Sequence, residues 1–403
     1  MTMGLKCKGR LLVCTAMLMG LTWLVSLPLK AAAPDTKDCS VPGACPLISP
    51  WGDDPSGLGA FHGFADPALA RDPDVPGRVW LMYSRPHAEV GTAPDGSTVL
   101  IGAVSSQLAR SDNSGTTFTY IASIWPDVAM NDPEGSGQRG IINSETPALA
   151  TINWGGTTIW YGAHLRYFQQ PKTGYYPKYG TSWHIRIGAA TSPLGLATAP
   201  ETVLGVSTTA DVYRPRVFLD QLAGRDITSC AMLNNPTLFA QGTTLYLITE
   251  CLAFNGTEED FTRSTTLLFA TTPLGTPTSW SWRYVGVLAD HALALELGGD
   301  TVLQPTLSRS WDGTLLLTLT PALHDPASVV GTEGQGCRTL ELASLDPPVL
   351  RRDGFGQLVV RAVINGKGFG SCAHDAASAT GIIATGKDSS DGPWHLHRTF
   401  VYP

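Results

Sequence analysis

A short phrase recurs along the chain: a polar residue, then Pro, a small residue and Leu. It stands as Asp66-Pro67-Ala68-Leu69, Thr146-Pro147-Ala148-Leu149, Asn235-Pro236-Thr237-Leu238 and Gln304-Pro305-Thr306-Leu307, with a weaker echo at His374-Asp375-Ala376-Ala377. The prolines stand about 70 to 90 residues apart, and self-similarity at a long period marks a modular array. Each phrase opens an apolar run, then a turn containing Gly77, Gly155-Gly156, Gly242 or Gly313, then a second run such as Val79–Ser84 or Thr244–Ile248. Strand, glycine turn and strand make a hairpin.

A second phrase follows each hairpin. Apolar strands end in small-residue turns at Ala109-Arg110-Ser111, Ala190-Thr191-Ser192-Pro193, Ala270-Thr271-Thr272-Pro273, Ala343-Ser344 and Ala384-Thr385-Gly386. Phe118, Trp282 and Trp394 then mark outermost strands. Units of four antiparallel strands repeated in a ring describe an all-β, five-bladed β-propeller, whose edges stay short without covering helices. The last unit is short and is expected to borrow a strand from the segment before Asp66. Six blades is the rival count, because Tyr213–Phe218 reads as another strand start; its closeness to Pro236 makes it an insertion instead.

Residues 1–33 read as an export leader. Lys6, Lys8 and Arg10 precede an apolar run from Leu11 to Leu29, and Ala31-Ala32-Ala33 follows. The run is long enough that an uncleaved anchor is the alternative. Residues 34–403 then form one propeller domain, secreted or periplasmic, expected to be a monomer with no membrane contact after cleavage. The formal net charge of −7 includes the basic residues of the leader, so the mature surface is more acidic still. Such a surface does not favour nucleic acid or anionic membranes. Cys39, Cys45, Cys230, Cys251, Cys337 and Cys372 remain after export, an even set that reads as disulfides. Cys230 and Cys251 fall symmetrically about the turn near Gln241, so that hairpin sets them opposite each other. Cys39 with Cys45 makes a local loop, and Cys337 takes Cys372. Zinc is the competing reading, but close Cys/His pairs at ligand spacing are lacking.

In a propeller the inner strands converge on a central channel, so residues far apart in sequence meet at its mouth. The inner-strand starts supply Asp66, Glu145, Asn235, Gln304 and His374-Asp375; the returning second strands supply Arg85, His164, Glu250 and His324. Carboxylates and amides around one funnel suit a polyol, and a desolvated carboxylate can hold a proton near neutral pH. Arg214 could clamp an anionic group, and Tyr176, in an aromatic-rich insertion, could stack on a sugar face. Each has a plainer reading: Asp66 capping a turn, Glu145 bonding loop amides, Arg214 in a salt bridge with Asp211 or Asp220.

Phe64-Ala65-Asp66-Pro67-Ala68-Leu69 followed by Val79–Ser84 resembles the first blade of five-bladed glycoside hydrolases of families 43, 62, 32 and 68. The phrases Ile187–Pro193 and Gly392-Pro393-Trp394 resemble later strands of that superfamily. The resemblance implies that Asp66 is general base or nucleophile. It also implies a channel cation, Ca2+, near His374, although no cofactor is required. Asn235 and Gln304 depart from the acids that family 43 would carry, so only Asp66 transfers cleanly; Glu145 and Glu250 are acid candidates on position alone. Ser111–Phe118 separately resembles the turn repeat of sialidases, with Asn113 where Asp is usual. The function expected is a glycosidase with a glycan substrate. The alternatives are a polysaccharide lyase using His164 or a Tyr as base, and a sugar-binding propeller without catalysis.

Overall fold

The computed structural model describes residues 31–59, 61–93, 95–133, 137, 139–170, 181–208, 216–218, 222–223, 230, 232–255, 258–325, 331–387 and 393–403. The leader to residue 30, Tyr176 and Arg214 lie outside them. Among the described residues the chain is almost all strand, with one short α-helix, His291–Glu296, capped by Asp290. No described helix is long and apolar enough to cross a membrane.

The strands form a propeller-like arrangement of sheets, the first four of them entered at the repeated phrases. The first sheet runs outward through Ala65–Arg71, Val79–Thr92, Thr98–Ser111 and Thr119–Trp125. The second begins with Arg139–Trp154, the third with Met232–Gln241, the fourth with Thr301–Arg309 and the fifth with Gly370–Ala373. A two-stranded ribbon, Phe254–Asn255 with Glu258–Glu259, stands apart from them. Arg216–Phe218, part of the segment behind the six-blade count, pairs on the outer edge of the second sheet and opens no new one.

Packing joins the sheets in a ring. Trp80, Met82 and Leu108 of the first meet Leu149 and Trp160 of the second. Separate apolar clusters then join second to third, third to fourth and fourth to fifth. Phe64, Leu81 and Tyr83 return from the first sheet to meet Ile383 and Leu396 of the fifth. Strands buried on both faces read as near-continuous apolar runs, which is why Val79–Tyr83 and Leu315–Leu319 lack alternation. The N-terminal segment locks the ring from outside. Asp35–Asp38 adds a parallel edge to the fourth sheet, and Leu47–Ile48 supplies the outer strand of the fifth. The borrowed strand is thus found where the shortness of the last unit predicts it.

Turn chemistry behaves as the motifs imply. Asn113 Oδ1 accepts from Thr117 N at 2.9 Å and Ser111 Oγ accepts from Gly115 N at 2.8 Å, closing the sialidase-like turn. Asp312 closes a similar turn by accepting from Thr314 N at 3.0 Å.

The cysteines pair as Cys39–Cys45, Cys230–Cys251 and Cys337–Cys372. The second pair bridges the entry to the third sheet's inner strand and the end of its neighbour, beside Glu250. Peptide mapping of the oxidised protein should recover it, and serine at both positions should cost about 2–5 kcal/mol of stability. Free thiols at 230 and 251 would refute the pairing.

Candidate active site

The repeated phrase proves to be a repeated backbone device. Asp66, Thr146, Asn235, Gln304 and Ser371 all have left-handed backbone, with φ of 49°, 49°, 46°, 49° and 46°. At each, the ladder to the second strand shifts register, as a β-bulge does. Non-glycine residues rarely adopt this conformation, least of all a β-branched Thr, and such strain collects at functional sites. The register also fixes which residues are equivalent. Thr146, not Glu145, matches Asp66, and Ser371, not His374, matches it in the fifth sheet.

A second column explains how the bulges are held. Ala65, Glu145, Asn234, Leu303 and Gly370 pair with Ser84, Leu165, Glu250, Thr320 and Thr385. Three of those partners are hydroxyls that accept the bulge amide of the next sheet: Ser84 Oγ from Thr146 N at 2.9 Å, Thr320 Oγ1 from Ser371 N at 2.9 Å, and Thr385 Oγ1 from Asp66 N at 3.0 Å. Glu250 holds the corresponding place and accepts from Gln304 N. A carboxylate therefore stands where the fold needs only a hydroxyl.

The three candidate carboxylates converge on this ring. Asp66 Oδ1 accepts from Gln304 Nε2 at 2.9 Å and from Ser371 Oγ at 3.1 Å. Burial raises its pKa, and hydrogen bonds from Ser84 and Ser371 oppose the rise. Glu145 accepts from the Tyr167 hydroxyl at 3.0 Å, and Tyr167 stacks on Trp183 at 4.5 Å. Burial first, then the charge of Asp66, pushes Glu145 up to about 8. Glu250, only 2% exposed, accepts from Asn235 Nδ2 at 2.8 Å and Asn234 Nδ2 at 3.2 Å besides Gln304 N. Burial lifts it to about 7 despite those donors, with a smaller contribution from Asp66. Glu250 is thus spent on holding Asn235 and Gln304, and Gln304 in turn holds Asp66. Thr146 contrasts with the other ring residues: its hydroxyl is buried and without a partner.

Other candidates lie elsewhere. His164 is not at the rim. It is fully buried, stacked on Trp125 at 4.2 Å, with Nε2 3.1 Å from Glu201. Its strand position alternates with Leu165, so it points into the packing between the first and second sheets. Burial lowers its pKa, which keeps the imidazole neutral. Arg85 is engaged by Asp53 at 3.6 Å and the Asp54 carbonyl at 2.9 Å. His374 and Asp375 stand at the far end of the inner strands from Asp66. His374 Nδ1 is 3.3 Å from Ser308 Oγ, and Asp375 accepts from the amides of Arg71 and Ala377. Burial brings His374 down to about 4. Calcium takes several oxygen ligands. This end offers an imidazole and a carboxylate already turned to backbone amides, so no step below runs through a channel cation.

Sequence reasoning passed over Ser84, Thr146, Tyr167 as a partner of Glu145, and Ser371. Thr146 carried the signal, since it precedes its Pro just as Asp66 does. Glu259 was also missed; burial, offset by Ser264, lifts it to about 7.

No protein-family model matches the chain, and no curated protein does. Among solved structures it is similar to Zg3597, a family 117 glycoside hydrolase of Zobellia galactanivorans, at 12% identity and TM-score 0.45, over 86% of this chain and 80% of that one. An alpha-L-arabinofuranosidase of Lactobacillus brevis matches at 12% identity and TM-score 0.43, over 77% and 81%. An exo-inulinase of Aspergillus awamori matches at 12% identity and TM-score 0.46, over 84% and 62%.

Proposed function

We propose that this chain is an exported glycoside hydrolase on a ring of five blades, one for each repeated phrase, working as a monomer on a polysaccharide or oligosaccharide. Asp66 is the general base or nucleophile and Glu145 the proton donor. The observation that carries the reading is the pair itself. Glu145, lifted to about 8, keeps its proton at neutral pH, and Asp66 beside it is met by neutral donors from three sheets. Two carboxyl groups in unlike environments divide acid from base. In the reaction Glu145 gives its proton to the glycosidic oxygen as the C–O bond breaks. Asp66 either attacks the sugar carbon or takes a proton from the water that does.

Glu250 was an equal candidate for the acid; its three hydrogen bonds, from Asn234, Asn235 and Gln304, make it a positioning residue here. A lyase with His164 as base finds no support in a fully buried imidazole. The second reading is a sugar-binding propeller without turnover, favoured by the neutral Asn235 and Gln304 at two ring positions. The test is to incubate the protein with plant, bacterial and algal glycans and follow new reducing ends. Release supports the hydrolase, unsaturated ultraviolet-absorbing products would establish a lyase, and retention on a glycan column without products would establish the binding module.

A further inference from the structure

Away from the channel ring, His87, Glu89 and Asp127 turn one donor atom each toward a common point, with all these atoms within 4.8 Å of one another. His87 and Glu89 are two apart on the strand Val79–Thr92, so their side chains leave the same face. Asp127 comes from the link between Thr119–Trp125 and Val128–Asn131. His87 Nε2 lies 3.7 Å from Glu89 Oε1 and 3.7 Å from Asp127 Oδ2. We propose that these three side chains form a binding site for a divalent transition ion of the zinc type, with water completing the coordination.

The geometry is close to what such an ion requires. Tetrahedral ligands about 2.0–2.2 Å from zinc stand roughly 3.4 Å from each other. The two separations from His87 need to close by only a few tenths of an ångström, the carboxylates lie within 4.8 Å of each other, and Glu89, nearly half exposed, is free to move. His87 Nδ1 lies toward the Arg85 carbonyl, at 3.5 Å, so Nε2 is the nitrogen presented to the carboxylates. Arg85, two residues before His87 on the same strand, is drawn to Asp53 and Asp54. Among the described residues, His87 is the only basic group within ion-pair distance of either carboxylate. The group brings two carboxylates and an imidazole together in a partly covered place. An imidazole with two carboxylates selects zinc, manganese, cobalt or nickel over calcium and magnesium, which prefer an all-oxygen set. The site lies on the strand that also carries Ser84, three residues beyond it, and it stands whether or not the channel hydrolyses glycans.

Calorimetric titration of the chelator-treated full chain with zinc chloride tests the site. Wild type should bind one ion with a dissociation constant in the micromolar range, about 1–100 µM. Glu89→Gln and Asp127→Asn should each weaken binding about tenfold or more. Glu89 is exposed enough that its substitution leaves the fold alone, which thermal scans will show. Zinc should raise the melting temperature of wild type and not of Asp127→Asn. Asp66→Asn should bind zinc as wild type does. Three results would overturn the site: no saturation by about 1 mM zinc, one-ion binding that survives both carboxamide variants, or calcium binding there more tightly than zinc.

Discussion

Asp66→Asn is expected to lower turnover by about 10²–10⁴-fold while the protein stays folded. Asn has the shape of Asp and is among the few residues at ease in the left-handed conformation this position demands. Its carbonyl oxygen can still accept from Gln304 and Ser371, so two of the three hydrogen bonds stay and only the one from Ser84 is lost. What disappears is the carboxyl group proposed as base or nucleophile. The same substitution should move the neighbours. The charge of Asp66 helps to raise both Glu145 and Glu250, so both should ionise at lower pH in the variant. Loss of a desolvated charge also makes the melting temperature equal to wild type or higher, the pattern of an active site that trades stability for activity. Kinetics on whichever glycan wild type cleaves, with a thermal scan of both proteins, decide the matter. Undiminished turnover would remove Asp66 from the mechanism, and a lower melting temperature would make it a structural residue.

The repeating architecture was legible because its punctuation is local. Proline, glycine turns and apolar runs recur at matching places, and strands packed on both faces leave no polar alternation to confuse them. The cysteine pairing was legible for the same reason, since a hairpin sets its two ends opposite each other. The bulge was not legible. A residue before proline is normally pushed to extended backbone, so nothing announced that Asp66 and its equivalents turn left-handed. That one-residue irregularity decides which side chain faces the ring, and it misplaced the equivalences. Glu145 stands one residue before the true counterpart of Asp66, and His374 three residues beyond Ser371. Rim assignments failed where strand parity intervened. Glu250 and His164 both lie on second strands, but Glu250 occupies the column that faces the next sheet's bulge and His164 the alternate one, beneath Trp125.

Thermal stability should be greatest near pH 5 and decline toward pH 8. Glu145 titrates at about 8 in the folded protein, and Glu250 and Glu259 at about 7, burial being the largest cause for each. Unfolded, all three return to about 4.3. Between the unfolded and folded values the native state binds protons that the unfolded state has released, so raising the pH draws the chain toward unfolding. This contribution is fully present below about 4.3, shrinks through neutrality and levels off above about 8. Two kinds of group act oppositely. Burial lowers His374, to about 4, and His164, so these add stability as the pH rises toward about 6.5. The lowered carboxylates act at the acid end. Hydrogen bonds and ion pairs hold Asp112, Glu296 and Asp312 below the usual carboxylate range, so what they add is lost only as the pH falls through their folded values. Net of the two histidines, the three raised glutamates should therefore lower the melting temperature by roughly 5–10 °C from pH 5 to pH 8. Glu259→Gln separates stability from catalysis, because it removes one of the buried acids without altering a hydrogen bond to Asp66. Its melting profile should be flatter than that of wild type while turnover is kept. Scans at four pH values between 5 and 8 suffice. A profile that rises across this range would mean that these carboxyl groups are already ionised in the fold. Glu145 could not then hold the proton the reaction asks of it.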